Sequence, residues 1–190
     1  MSVVWLLGLS GSGKSTLAEA LRGTLAPSAS VAVLDGDAVR AAVGDGLGYS
    51  QEDRRAQSAR LGRIARLLAT QKLVVVVADT FSDPASLAWN RANLPNYREV
   101  LLRASLERLA RRDLRGVYAR AKAGQSSNVV GVDISWQEPV SPDLTLDMDN
   151  PEPPEVLALR IAVLIPEFLA AATATARNVP VRGSSPTRLP

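Results

Sequence analysis

Two clusters of residues in this chain have the types and spacing to do chemistry, and both follow short apolar runs. The first is residues 8–16, GLSGSGKST, which fits G-x-x-x-x-G-K-[ST]. Gly8, Gly11 and Gly13 let backbone N–H groups turn inward on a phosphate, with Ser10, Ser12 and Thr16 completing the loop. Lys14 is placed to reach the β/γ-phosphates and Ser15 to offer its hydroxyl to Mg²⁺. A helix starting beneath the loop adds its positive end. The pattern points to a nucleoside triphosphate.

The second cluster is LDGDAVR at 34–40, two carboxylates and an arginine around a glycine. Asp35 suits the metal side and Asp37 an attacking hydroxyl, while Arg40 suits an anionic substrate. An Asx turn that merely caps the next helix would use the same residues. The chain has no histidine, so a general base must be a carboxylate, because Lys and Tyr titrate too high without large shifts.

These residues need a scaffold that brings them together. The runs VVWLL at 3–7, VAVL at 31–34, 73–78, 98–102 and 144–146 read as strands, the third buried on both faces. Helical patterns separate them. Ser50 with Asp53 three positions on resembles an N-cap, opening a helix with Leu61, Ile64, Ala65 and Leu68 on one face. Residues 105–124 read as one arginine-rich helical stretch and 155–171 as a terminal helix. This alternation predicts an α/β fold, a P-loop NTPase-type doubly wound parallel sheet with helices on both faces. Ligands there lie beyond the carboxyl ends of the strands.

At 190 residues the chain fits a single domain, expected over 1–176, with a disordered tail over 177–190. It has no cysteine, and its formal charge of +3 is too weak to suggest nucleic acid. No apolar run approaches the roughly 18 residues of a membrane span. A cytoplasmic protein without a signal peptide is expected.

The chain resembles the adenylylsulfate kinases in five segments. These are GLSGSGKST at 8–16, LDGDAVR at 34–40, GLGYSQEDR at 46–54, RDLRGVYARAKAG at 112–124 and GVD at 131–133. The resemblance implies a Mg²⁺-dependent kinase moving the ATP γ-phosphate to the ribose 3′-hydroxyl of adenylyl sulfate. The family is often dimeric, which leaves a homodimer open. It also implies that Arg40 and Arg54 grip the acceptor's phosphosulfate and ribose and that Tyr49 lines its nucleotide. Arg112 would flank the ATP adenine, and Arg115 would begin a lid over both nucleotides.

Departures from the family cluster on the acceptor side. Gln57 replaces an Asn, and Val129 replaces an aromatic that would sandwich the acceptor's base. Loss of one face of such a sandwich costs on the order of 1–3 kcal/mol. The loop at 79–85, DTFSDPA, replaces a Ser-Pro-aromatic-Arg run, and its Ser aligns with Phe81 unless the loop slips by one. Asp79 ends the third strand where an apolar residue is usual. Asp79 would either assist the metal, accept a hydrogen bond from a different acceptor, or cap the following loop. Two other readings therefore stay open: a paralogous kinase acting on another hydroxyl, and an idle nucleotide-binding subunit.

Overall fold

The computed structural model describes residues 1–44, 46–81, 83–113 and 116–177, with side chains to residue 172. Five parallel strands run in the order β2-β3-β1-β4-β5: β1 (Val3–Leu7), β2 (Val31–Asp35), β3 (Val74–Asp79), β4 (Tyr97–Arg103) and β5 (Leu144–Asp147). The chain winds one way from β1 through β2 to β3, then crosses to β4 and β5 on the other side. That reversal leaves a crevice at the carboxyl end of β1, the expected ligand position.

Alternation along the buried strands explains the layers. Val4, Leu6, Val74, Val76, Val100 and Leu102 face one side, where α1 (Lys14–Leu25) and α7 (Pro154–Ala162) cover them. Val3, Trp5, Leu7, Val75 and Val77 face the other, under α3 (Gln51–Thr70) and α4 (Pro84–Asn93). Central strands buried on both faces read as continuous apolar runs, as 3–7 and 73–78 do. Ser50 caps α3 through a reciprocal box with Asp53.

Two expected helices are interrupted. The stretch 105–124 divides into α5 (Leu106–Arg111) and α6 (Val117–Lys122). Gly116, at φ 64°, starts α6, and the Asp113 carboxylate accepts from the amides of Val117 and Ala119. The terminal helix divides into α7 and α8 (Pro166–Arg177), because Pro166 lacks an N–H and keeps Ile165 from continuing the turn. The remaining helix, α2 (Gly36–Val43), follows β2 without a gap. Residues 178–190, most of the expected tail, lie outside the described residues. Among the described residues no helix is long and apolar enough to cross a membrane.

Candidate active site

The loop from β1 to α1 owes its shape to its glycines. A Cβ on Gly8 would stand 2.6 Å from Ser12 Oγ and 2.8 Å from the Leu102 carbonyl. Gly11 and Gly13 have φ of 81° and 98°, a region that side chains disfavour. The Ser12 amide donates to the Leu9 carbonyl, and its side chain is buried beneath the loop. Lys14 is buried, and its ammonium donates to the carbonyls of Gly8 (2.8 Å) and Leu9 (3.0 Å), which holds it across the mouth of the loop.

Asp35 joins this loop to the second cluster. Ser15 Oγ donates to Asp35 Oδ2 at 2.6 Å, and Asp35 Oδ1 accepts from the amides of Asp37 (3.0 Å) and Ala38 (3.3 Å). The capping reading of Asp35 is seen directly: this carboxylate ends β2 and caps α2 while it also accepts from Ser15. The next turn places Asp37 and Arg40 in the cleft that Ser10, Gly11, Lys14 and Ser15 line. Gln57, buried on α3, donates from Nε2 to the Gly36 carbonyl (2.9 Å) and accepts from Arg60 at Oε1 (2.8 Å). It fixes the turn between the two aspartates.

Arg40 and Arg54 converge on Tyr49. Their guanidinium carbons lie 4.8 and 5.3 Å from its ring centroid, within cation–π range. Arg40 Nη1 donates to the carbonyls of Leu47 and Gly48, and its buried Nε has no protein partner. Arg54 donates to the carbonyls of Tyr49 (3.0 Å) and Asn128 (2.7 Å). Burial, and then the Arg40 charge, hold the Arg54 pKa below its usual value. Two guanidiniums packed together under burial make a place for an anion.

Asp79 lies at the cleft floor, buried, with its Oδ2 accepting from Ser58 Oγ (2.5 Å) and its Oδ1 from the Phe81 amide (3.1 Å). Burial pushes its pKa up, against those hydrogen bonds and the Lys14 charge. Oδ1 thus caps the turn after β3, while Oδ2 ties that turn to α3. Val129 differs from expectation: it is absent from the cleft lining and packs in a cluster with Leu9, Phe81, Leu109 and Tyr118. Its amide is held by Asp133. A short aliphatic chain satisfies that cluster without reaching the cleft.

Arg112 is exposed at the cleft edge, just past α5, while Arg115 lies outside the described residues. Tyr118, on α6, donates to the Ser10 carbonyl at 2.8 Å; burial raises its pKa to about 12, so it stays a donor. Phe81 also lines the cleft, a role that the local sequence pattern does not single out. The available signal was its position, two residues beyond the strand end.

A model of the adenylylsulphate kinase family matches residues 1–147. This chain belongs to that family. The adenylyl-sulfate kinase of Myxococcus xanthus is 41% identical over 152 residues, covering 77% of this chain and 82% of that protein. The adenylyl-sulfate kinase of Chloroflexus aurantiacus is 40% identical over 164 residues, covering 85% and 88%. Among solved structures, the Mycobacterium tuberculosis APS kinase CysC, in complex with AMPPNP and APS, superposes with a TM-score of 0.79. That pair is 33% identical, over 86% of this chain and 96% of that one. The family and the P-loop fold expected from the motifs are thereby shown.

Proposed function

We propose that the chain transfers the γ-phosphate of ATP to the ribose 3′-hydroxyl of adenylyl sulfate. The observation that carries this reading is Asp35. One carboxylate ties the Ser15 hydroxyl, on the triphosphate side, to the first turn of α2, which holds Asp37 and Arg40 on the acceptor side. A triphosphate seated in residues 8–16 and an acceptor gripped by Arg40 and Arg54 share one cleft. Positioning of this kind is most of what phosphoryl transfer asks of a protein.

In the reaction the acceptor oxygen bonds to the γ-phosphorus as the bond to the β–γ bridging oxygen breaks, and ADP leaves. The hydroxyl proton passes to Asp37, the exposed carboxylate nearest the acceptor side. Since the transition state is loose, Asp37 orients the hydroxyl as much as it removes the proton. Lys14 offsets the charge gathering on the β–γ bridge.

Among the described residues no three carboxylates, imidazoles or thiols gather as a protein-built metal cage. The hard oxygens of Ser15 and Asp35 instead fit a Mg²⁺ that arrives with the nucleotide and keeps several waters. When bound, that ion would neutralise phosphate charge.

The test is ADP release from ATP against a panel of adenylyl sulfate, nucleoside monophosphates and cytidine diphosphate derivatives. Adenylyl sulfate should be the best acceptor and yield the 3′-phosphorylated product. Faster turnover of another panel member would favour the paralogous kinase. No turnover with any acceptor, despite ATP binding, would favour the idle subunit.

A further inference from the structure

The turn after β3 contains a side chain that phosphoryl transfer does not use. Phe81 lines the cleft floor, although only 6% of its surface is exposed. Its amide is held by Asp79 Oδ1, and Asp79 Oδ2 is held in turn by Ser58 of α3. Behind it stand Leu9, Leu109 and Val129. Phe81 is thus fixed from the backbone side and the core side together.

Three aromatic side chains line the cleft among the described residues: Tyr49, Phe81 and Tyr118. Tyr118 is bound through its hydroxyl to Ser10 of the phosphate loop. Tyr49 is half exposed and lies against the guanidiniums of Arg40 and Arg54. Phe81 has no polar atom in its side chain and packs in one cluster with Tyr118 of α6. A buried, preorganised ring there favours a flat, weakly polar ligand surface over a hydrated sugar or acid.

We infer that Phe81, pinned by Asp79 and Ser58, is the specificity-determining wall that packs against the planar base of the acceptor. Arg40 and Arg54 take the anionic end of the same molecule. This deepens the kinase reading and rests on it: the acceptor must carry an aromatic base as well as an anion. Asp79 and Ser58 act through Phe81 as positioning residues.

The experiment uses Phe81→Leu, which keeps the wall apolar and near the same volume, with Phe81→Ala as a second variant. KM for adenylyl sulfate and for ATP are measured for each, after thermal melting confirms folding. Phe81→Leu should raise the KM for adenylyl sulfate on the order of tenfold and Phe81→Ala further, with the KM for ATP within about twofold of wild type. Equal changes for both nucleotides, or no change for adenylyl sulfate, would overturn the assignment. Should the wild type fail to turn over adenylyl sulfate, the kinase reading fails on its own terms. Calorimetric binding of adenosine 5′-monophosphate to the protein preloaded with a non-hydrolysable ATP analogue then decides the wall: weaker binding to Phe81→Leu supports it, and unchanged binding refutes it.

Discussion

The two halves of the cleft are built in opposite ways. The half we assign to the phosphates is one continuous stretch, residues 8–16, shaped by glycine dihedrals and carrying two polar side chains, Lys14 and Ser15. The half we assign to the acceptor is assembled from the turns after β2 and β3 and the loop before α3, with the Asn128 carbonyl holding Arg54 from behind. Its contacts run from side chains to distant carbonyls, such as Arg54 to Asn128. Backbone recognition of phosphate tolerates little change of shape. An array of side-chain contacts can be retuned one residue at a time, and the sequence departures lie in this half.

If the halves divide the work in this way, damage to the first should abolish turnover and damage to the second should shift acceptor use. The largest effect is expected at Lys14. Lys14→Ala removes the charge that meets the β/γ-phosphates, and kcat should fall by roughly a thousandfold. The fold should persist, since the lost hydrogen bonds go to two loop carbonyls at the cleft. Coupled ADP release and circular dichroism check both points. Retention of more than a few per cent of wild-type kcat would break the comparison at its firmest place.

Asp37→Asn should come next, with kcat down by about a hundredfold and the KM for ATP little changed. Asp35 holds the α2 turn through its own carboxylate, so the variant keeps the local geometry. If only the KM for ATP moved, Asp37 would belong to the triphosphate half. A smaller effect is expected for Arg54→Lys. A single ammonium cannot reproduce the fork from Nε to Tyr49 and from Nη2 to Asn128. The KM for adenylyl sulfate should rise about tenfold while that for ATP stays constant, measured at fixed ionic strength.

The same division decides what the sequence could reveal. The phosphate loop, the strand–helix alternation and the N-cap at Ser50 depend on neighbours within a few residues, and each was legible from local pattern. The breaks at Gly116 and Pro166 were also written locally, but the apolar periodicity that runs through both obscured them. Residues of the acceptor half were legible as types and not as contacts. Arg40, Tyr49 and Arg54 meet as one group because α2 and α3 fold against each other. Gln57 spends its amide on Gly36 and Arg60, and Val129 sits behind the cleft; no spacing rule states either fact. Phe81 gains its place only from the pairing of β3 beside β1 and the Asp79 cap.

The smallest expected effect, and the one that most sharpens the contrast, is the pH dependence of Asp79. Burial raises its pKa above the ordinary 3.8, so the folded chain keeps this proton to higher pH than the unfolded chain does. Folded-state protonation therefore exceeds unfolded-state protonation between the two values, and stability must fall as pH rises through that window. Asp83 pulls the other way: burial opposes it, but hydrogen bonds from Ser86 and Arg55 lower its pKa, and stability from that group is lost on acidification. Asp79→Asn removes the first contribution and leaves the second common to both proteins. The amide still offers an oxygen to the Phe81 N–H, and Ser58 can accept from its nitrogen. Urea unfolding across pH 4 to 8 should show the wild type losing stability relative to the variant as pH rises. A difference that stays flat, or grows in favour of the wild type with pH, would mean that Asp79 is an ordinary ionised carboxylate whose charge the cleft uses. It would then belong with Asp37 in the chemistry and not with Ser58 in the scaffold beneath Phe81.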